Sequence, residues 1–208
     1  MGGKLIVMSH ATEIIGLYER HALAWDTERD RSLFERPWLD RFSELLPQRG
    51  SILDLGCGAG EPIARYFIEQ GFRVTGVDAS QAMIAKCQDR FPSQTWMVRD
   101  MRMLDLGFGF DGIIAWDSFF HLTQHDQRRM FSIFRRHARP NAPVMFTSGP
   151  GRGEAIGSYK GEPLFHASFD PDEYRALLHE HGFEVVLHVA EDPACGGHTV
   201  WLARGRAS

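Results

Sequence analysis

Short apolar runs alternate with amphipathic stretches along most of the chain, which predicts strands and helices in turn. The apolar runs are rich in Val, Ile, Leu and Phe, as buried strands are. We predict strands at residues 51–55, 72–78, 95–99, 110–116, 143–147, 183–187 and 198–202. Seven strands with helices between most of them predict an α/β fold with a doubly wound, mostly parallel sheet.

Capping residues and prolines mark where the helices begin. Ser80 and Thr123 suit the N-cap position, and prolines suit a first helical turn. The predicted helices start near Pro37, Pro62, Ser80, Thr123 and Asp170–Pro171. The last two strands are too close in sequence for a helix to lie between them. We therefore expect them to be antiparallel neighbours, so that the last strand runs against the rest of the sheet.

The chain shows no repeats and no low-complexity linker, so we expect one domain over residues 1–208. Residues 11–50 form an N-terminal helical extension, residues 51–148 the core, and residues 169–208 a C-terminal helix and strand pair. Residues 149–168 are rich in Gly and Pro without a clear period. We expect them to form a long loop or small insertion over one end of the sheet, where ligands bind in such folds.

Composition narrows the class of protein. Charged residues make up 24% of the 208 residues, the formal net charge is −4, and Lys and Arg are scattered, which argues against nucleic acid as the main partner. The three cysteines, Cys57, Cys87 and Cys195, lack metal-site spacing and predict free thiols in a reducing compartment. No apolar run approaches the roughly 20 residues that span a bilayer, and residues 5–8 are too short for a signal-peptide core. We expect a cytoplasmic protein with no metal site and no membrane partner.

The first predicted strand is followed by a glycine loop at residues 56–60, with the sequence GCGAG. Glycines allow a tight turn and let a ligand approach the backbone amides. A dinucleotide-binding loop reads GxGxxG, whereas here Glu61 takes the third glycine position. Its negative charge would disfavour a pyrophosphate, while a zwitterionic amino-acid ligand carries no pyrophosphate.

Acidic residues end the next two strands. Asp78 can accept hydrogen bonds from both hydroxyls of a ribose, although a helix N-cap is the alternative role. Asp100 is placed to accept from an adenine amino group, with Met101 beside it. Met83 either packs on the adenine or is a core methionine.

Residues 53–60 resemble the first motif of the class I S-adenosylmethionine-dependent methyltransferases. Residues 77–78, 99–101 and 115–122 are similar to later motifs of that family in the same order, and the resemblance runs from about residue 51 to residue 202. It implies a Rossmann-like methyltransferase fold, a small-molecule type of enzyme, S-adenosyl-L-methionine as cofactor and S-adenosyl-L-homocysteine as product.

The resemblance also implies a set of cofactor-binding residues. Asp54 would hold the glycine loop or the amino group of the cofactor. Tyr18 and Trp25 would cover the cofactor from the N-terminal lid, and plain helix packing is the alternative for both. The full expected set is Tyr18, Trp25, Asp54, Gly56, Cys57, Gly58, Gly60, Asp78, Ala79, Met83, Asp100, Met101 and Trp116.

Methyl transfer is an in-line displacement at a sulfonium, so the protein mainly supplies orientation and desolvation. An oxygen or nitrogen acceptor, a carboxylate among them, can also need a general base. His121 and Asp117 follow the fourth strand and are the candidate catalytic residues. Further candidates on the acceptor side are His166, His198 and one of the rings Phe119 and Phe120, the other being core.

Three alternatives stay open at this point. Nucleic-acid amino methylases carry an Asn/Asp-Pro-Pro-aromatic motif where this chain has Trp116-Asp117-Ser118-Phe119, and no Pro-Cys pair of a cytosine methylase occurs. A nicotinamide oxidoreductase is disfavoured by Glu61 and the final strand pair. A module that binds the cofactor without transferring a methyl group would keep the same loop. We expect a small-molecule substrate and a monomer or homodimer.

Overall fold

The computed structural model describes residues 10–207, so the segment at residues 5–8 lies outside the described residues. Two helices precede the sheet, α1 (His10–Glu28) and α2 (Arg36–Glu44), and Pro37 lies in the first turn of α2 as predicted. Within residues 10–207, no helix combines the length and apolar character that crossing a membrane requires.

Nine strands and four further α-helices follow within residues 10–207. The strands are β1 (Ser51–Leu55), β2 (Arg73–Asp78), β3 (Thr95–Val98), β4 (Gly112–Ala115), β5 (Pro143–Ser148), β6 (Gly153–Tyr159), β7 (Glu162–Ser168), β8 (Phe183–Asp192) and β9 (His198–Gly205). The remaining α-helices are α3 (Ile63–Glu69), α4 (Gln81–Arg90), α5 (Gln124–His137) and α6 (Pro171–Glu180). Ser80 caps α4 and Thr123 caps α5 through their side chains, which confirms both predicted caps.

Seven of these strands form one sheet in the order β3-β2-β1-β4-β5-β9-β8. Strands β1 to β5 are parallel, and β9 runs antiparallel between β5 and β8. The predicted sheet and its antiparallel last strand are therefore confirmed. Because chain order reverses between β1 and β4, the carboxyl ends of these two strands open the crevice in which such sheets bind ligands.

Both faces of the sheet are buried, as the near-continuous apolar strands require. One face packs Ile52 and its neighbours against α2, α3 and α4, with Phe42 and Phe67 fully buried. The other face packs Leu53 and its neighbours against α5 and α6, where Phe131 is fully buried. Phe119 belongs to this second cluster, which leaves Phe120 as the candidate acceptor wall.

Of the two alternatives for residues 149–168, the structure has the small insertion and not the long loop, because most of the segment is the two-stranded hairpin β6–β7. Every residue of β6 from 153 to 158 is exposed, so the strand carries no apolar alternation that could have revealed it. Lys160 and Gly161 have φ of 52° and 81°, the left-handed geometry that a two-residue hairpin turn needs. Phe165 on β7 packs against Ile14 of α1, so the hairpin and the N-terminal helix meet.

Two smaller predictions also need correction. The final strands extend beyond residues 187 and 202, and their ladder continues past two irregularities in register. Asp170 precedes α6 as expected, but within the described residues its side chain caps no amide of that helix. Its Oδ1 accepts a hydrogen bond from the backbone N–H of Arg152 at 3.0 Å instead, which ties the insertion to α6.

We expect Gly76→Ala to lower the free energy of unfolding by about 1–3 kcal/mol, because a side chain at this position overpacks the core. A Cβ there would overlap the indole of Trp96 and approach the Sγ of Cys57 to 2.9 Å. Gly153→Ala is the matched control, since its Cβ would meet nothing within 4 Å. Urea unfolding of both variants tests this expectation, and equal losses at the two positions would contradict it.

Candidate functional site

A cavity opens at the carboxyl ends of β1, β2 and β4, beneath α1, and we call it the central cavity. Its walls contain almost all of the site residues proposed from the sequence: Tyr18, Trp25, Asp54, Gly56, Cys57, Gly58, Asp78, Ala79, Met83, Asp100, Met101, Trp116, Asp117 and His121. Gly60, the last residue of the glycine loop, does not line the cavity, and its Cβ position is 3.1 Å from the Phe91 ring and 3.3 Å from the Cys87 sulfur.

The glycine loop bends through left-handed backbone that only glycine adopts without strain. Gly56 and Gly58 have φ of 74° and 53°, and a Cβ at Gly56 would lie 2.8 Å from the Oγ of Ser118. The absence of side chains therefore lets the β4 end and the loop meet across the crevice.

The amides of this loop are used within the protein. Gly56 and Cys57 donate to the carbonyl of Val77 at 2.7 and 3.1 Å, and Gly58 donates to Oδ2 of Asp78 at 2.9 Å. Gly60 donates to the carbonyl of Cys57 at 3.0 Å. These four amides are therefore not offered to a phosphate as they are in anion-binding loops, and the approach of a ligand to the loop residues that line the cavity stays a prediction.

Asp54 is the most unusual acid of the cavity. It is 3% exposed, and within residues 10–207 its Oδ2 has no hydrogen-bond partner. Burial, together with the charge of Asp78, raises the pKa of Asp54 to about 7. A buried carboxyl without a partner is costly to ionise, so this group favours a cationic ligand beside it.

Asp78 is not the N-cap of α4, because Ser80 holds that position, and its binding of a ribose stays a prediction. Its Oδ1 accepts from the backbone N–H of Ser80 at 2.8 Å, at the start of α4, and its Oδ2 accepts from Gly58. Burial raises the pKa of Asp78 above its ordinary value. The carboxyl thus fixes the loop against α4 while lining the central cavity.

The far end of the cavity is built around Asp100. Its carboxylate caps a short 3₁₀ helix (Met101–Met103) through the N–H of Arg102 and pairs with the Arg102 guanidinium. Burial alone would raise the pKa of Asp100, but the hydrogen bonds from Arg102 outweigh it and the net shift is downward. Met83 belongs to the core, since it is 1% exposed and packs against Ala59, and it also lines the central cavity.

Helix α1 closes the cavity from above and is held at both sides. Glu19 accepts from the Ser80 hydroxyl at 2.6 Å, and Asp26 pairs with Arg90 at 2.5 Å, so α1 is fixed to α4. On the other side, Glu162 at the start of β7 pairs with Arg20 and also contacts His21 at 2.6 Å. Helix α1 is therefore bound both to α4 and to the insertion at residues 149–168.

Tyr18 and His121 meet inside this closed space. The Tyr18 hydroxyl lies 2.9 Å from Nε2 of His121, whose Nδ1 lies 2.8 Å from the carbonyl of Phe165. Since the carbonyl can only accept, Nδ1 carries the proton and Nε2 accepts from the tyrosine. Burial lowers the pKa of His121 to about 4, and burial raises the pKa of Tyr18. His121 is thus a neutral imidazole with a partner at each nitrogen.

Asp117 follows β4 in left-handed backbone, with φ of 49°. Its N–H donates to the Thr147 hydroxyl at 2.9 Å, and its Oδ1 lies 3.0 Å from Nε2 of His198. The adjacent carboxylate of Asp117 raises the pKa of His198, whose ring also stacks on that of Trp116 with the centroids 5.7 Å apart. Asp117 and His198 therefore form an ion pair at the wall of the cavity.

Arg29 is a site residue that the sequence reasoning missed. Its guanidinium lines the central cavity, pairs with the fully buried Glu35 and lies 3.7 Å from Oδ2 of Asp117. Arg29 directly follows α1, four residues after Trp25, and its N–H still donates to the Trp25 carbonyl at 2.8 Å, so helical spacing from Trp25 could have found it. No group of three or more His, Cys, Asp or Glu side chains arranged to hold a metal occurs within residues 10–207.

Known proteins resemble this chain in both sequence and fold. A family model described as a methyltransferase domain matches residues 52–141. The chain is 32% identical over 139 residues to "Putative methyltransferase YqeM" of Bacillus subtilis, covering 62% of this chain and 54% of that protein. It therefore spans about half the length of this relative. It is 29% identical over 161 residues to an O-methyltransferase of Aspergillus nomiae, covering 71% of this chain and 69% of that one.

Among solved structures, the chain resembles the 1,6-didemethyltoxoflavin-N1-methyltransferase of Burkholderia thailandensis. The TM-score is 0.70 at 21% identity, and the match covers 99% of this chain and 93% of that one. That structure holds 1,6-didemethyltoxoflavin and S-adenosylhomocysteine. The likeness confirms the Rossmann-like fold predicted from the sequence.

We expect the stabilising effect of His121 to depend on pH. The folded chain keeps His121 neutral down to about pH 4, whereas the unfolded chain protonates it below its ordinary pKa of 6.5. The unfolded state therefore binds more protons, and up to about 3 kcal/mol is lost as pH falls from 6.5 towards 4. Urea unfolding of the wild type and His121→Gln should show a gap that is constant above pH 7 and shrinks below 6.5. A gap that stays constant down to pH 5 would contradict this expectation.

Proposed function

The chain belongs to the class I S-adenosylmethionine-dependent methyltransferase family, and on that premise we propose that it transfers a methyl group from S-adenosyl-L-methionine to a small molecule. The observation that carries the proposal is the unpartnered, buried Oδ2 of Asp54 in a cavity beside a loop with four of its five amides already bonded within the protein. Such a cavity suits a ligand with positive charge and without phosphate. This distinguishes it from a nicotinamide site, which needs free amides for a pyrophosphate.

The residues of the cavity fit the parts of this cofactor. Asp54 would face the ammonium group, Asp78 the ribose hydroxyls, and Asp100 the adenine amino group, with Met83 and Met101 against the adenine ring. The cofactor would supply a methyl group on a sulfonium, already activated for displacement. The protein then needs to orient the two reactants and exclude water.

The chain's own residues perform those two tasks. Helix α1 with Tyr18 and Trp25 covers the cavity and keeps water from the reacting atoms. Tyr18 and Trp25 meet edge-on, with ring centroids 5.1 Å apart, so they form one aromatic cover. His121, bonded at both nitrogens, holds the Tyr18 hydroxyl in place, and Asp117 is the carboxylate that faces the acceptor side.

The acceptor is proposed to be a free small molecule with an oxygen or nitrogen nucleophile. The relatives named above include an O-methyltransferase and an N1-methyltransferase, which leaves both open. The cavity wall carries seven acids against three arginines, and this excess of negative charge disfavours the phosphates of a nucleic acid. The buried thiols of Cys57, Cys87 and Cys195 suit the reducing cytoplasm. A monomer or homodimer remains our prediction.

Calorimetry with S-adenosylmethionine, S-adenosylhomocysteine and NAD tests the cofactor assignment. Binding of both sulfur nucleosides without NAD supports the proposal, and NAD binding alone would overturn it. Transfer of labelled methyl to a panel of small molecules then tests the activity. Cofactor binding without transfer to any of them would indicate a binding module.

We expect cofactor affinity to fall below pH 7, because Asp54 must lose a proton before it can pair with an ammonium group. With its pKa at about 7, affinity for S-adenosylhomocysteine should drop by up to about tenfold per pH unit below that point. Asp54→Asn should bind more weakly at pH 7.5 and lose most of this dependence. Asp100→Asn is the control, since its carboxyl pKa is already low and the wild-type slope should remain. A wild-type slope in Asp54→Asn would remove Asp54 from the ammonium site.

A further inference from the structure

A second cavity lies beside the central cavity, under the β6–β7 hairpin, and we call it the hairpin cavity. Its volume is about 410 Å³, within the usual range of small-molecule sites. The hairpin, the end of β5 and the start of β9 form its walls, which include Phe120, Ser148, Glu154, His166, Glu191 and His198.

Pairs of side chains separate the two cavities, and in each pair one member faces each cavity. Asp117 lines the central cavity and His198 lines the hairpin cavity, and their ion pair is 3.0 Å long. Further along the same wall, His121 faces the central cavity while His166 faces the hairpin cavity, with ring centroids 4.9 Å apart. His198 is therefore the side chain that stands between a molecule in the hairpin cavity and Asp117.

The charges of the hairpin cavity point to the chemistry of its ligand. Within residues 10–207 no Lys or Arg side chain lines it, whereas Glu154 and Glu191 both do. Burial lowers the pKa of His166, so this ring is neutral. The charge of His198 is balanced by Asp117. The lining thus carries a net negative charge, which attracts an ammonium group and repels a carboxylate.

We propose that the hairpin cavity is the acceptor site, and that the acceptor is a small amine whose nitrogen reaches Asp117 in place of the His198 imidazole. This rests on the proposed function, because it requires the methyl donor to occupy the central cavity. It narrows the acceptor from an oxygen or nitrogen nucleophile to an amine, and it disfavours a carboxylate acceptor.

The reaction balances with the groups present. The arriving ammonium gives one proton to the carboxylate of Asp117, which leaves a lone pair on the nitrogen. That lone pair forms the N–C bond to the methyl carbon as the C–S bond breaks, and the C–S electron pair stays on sulfur as a thioether. The product leaves as a methylated ammonium ion, and Asp117 returns its proton to solvent.

Pairs of compounds that differ only in charge test the substrate class. Benzylamine is compared with benzoic acid, and glucosamine with glucuronic acid, using methyl-labelled S-adenosylmethionine. We expect transfer to at least one amine and to neither acid. The double variant Glu154→Gln, Glu191→Gln should raise KM for that amine about two- to fivefold at unchanged kcat, an effect that shrinks with salt.

Two adjacent positions on β6 test the location. Ala155 lines the hairpin cavity, whereas Ile156 is 52% exposed and lies outside it. Ala155→Trp should lower kcat/KM for the amine about tenfold or more by filling the cavity, with the Kd of S-adenosylhomocysteine unchanged. Ile156→Trp should leave both quantities at the wild-type value.

The outcomes separate this inference from the proposed function. Failure to bind S-adenosylmethionine or S-adenosylhomocysteine would overturn the proposed function and this inference with it. Cofactor binding with transfer to an acid, or with no transfer to either amine, would overturn the amine acceptor alone. Unchanged kcat/KM in Ala155→Trp would show that the acceptor binds elsewhere.

Discussion

The carbonyl of Val77 holds the site together. It accepts hydrogen bonds from both Gly56 and Cys57, so the end of β2 fixes the loop that follows β1. The next residue, Asp78, accepts from Gly58 and completes the attachment. With four of the loop amides engaged in this way, the carboxyl of Asp54 keeps a buried oxygen without a hydrogen-bond partner at the base of the crevice. Nε1 of Trp116 and Oδ1 of Asp117, at the end of β4, lack one as well. The preference for a cation thus follows from how the backbone is paired.

Local patterns were sufficient to predict the seven strands of the main sheet and the acids that follow two of them. Buried parallel strands appear in the sequence as apolar runs, and their carboxyl ends must meet at one edge of the sheet. Asp78 and Asp100 were therefore found from their positions, whereas Asp54, inside β1, was expected from the family resemblance. Their hydrogen-bond partners were not, because a pattern along the chain does not show that Asp78 binds a loop amide or that Asp100 pairs with Arg102.

Contacts between distant segments account for most of what the sequence did not show. The pairs Asp117–His198 and Tyr18–His121 join elements far apart in the chain, and each pair exists only because the fold brings its members together. The hairpin escaped prediction for a different reason. A strand that is exposed along its length has no buried face, so it leaves no hydrophobic period in the sequence.

The two cavities are built from different segments of the chain, and this has a consequence for how such a protein can change. The central cavity is built mainly from α1 and the carboxyl ends of β1 to β4, whereas much of the hairpin cavity comes from one insertion between β5 and α6. Under the proposed function, an altered insertion would change which molecule is accepted and leave the proposed methyl donor site intact. The limit is set by Phe165 against Ile14 and by Glu162 with Arg20, because a new hairpin that lost these contacts would also release the lid.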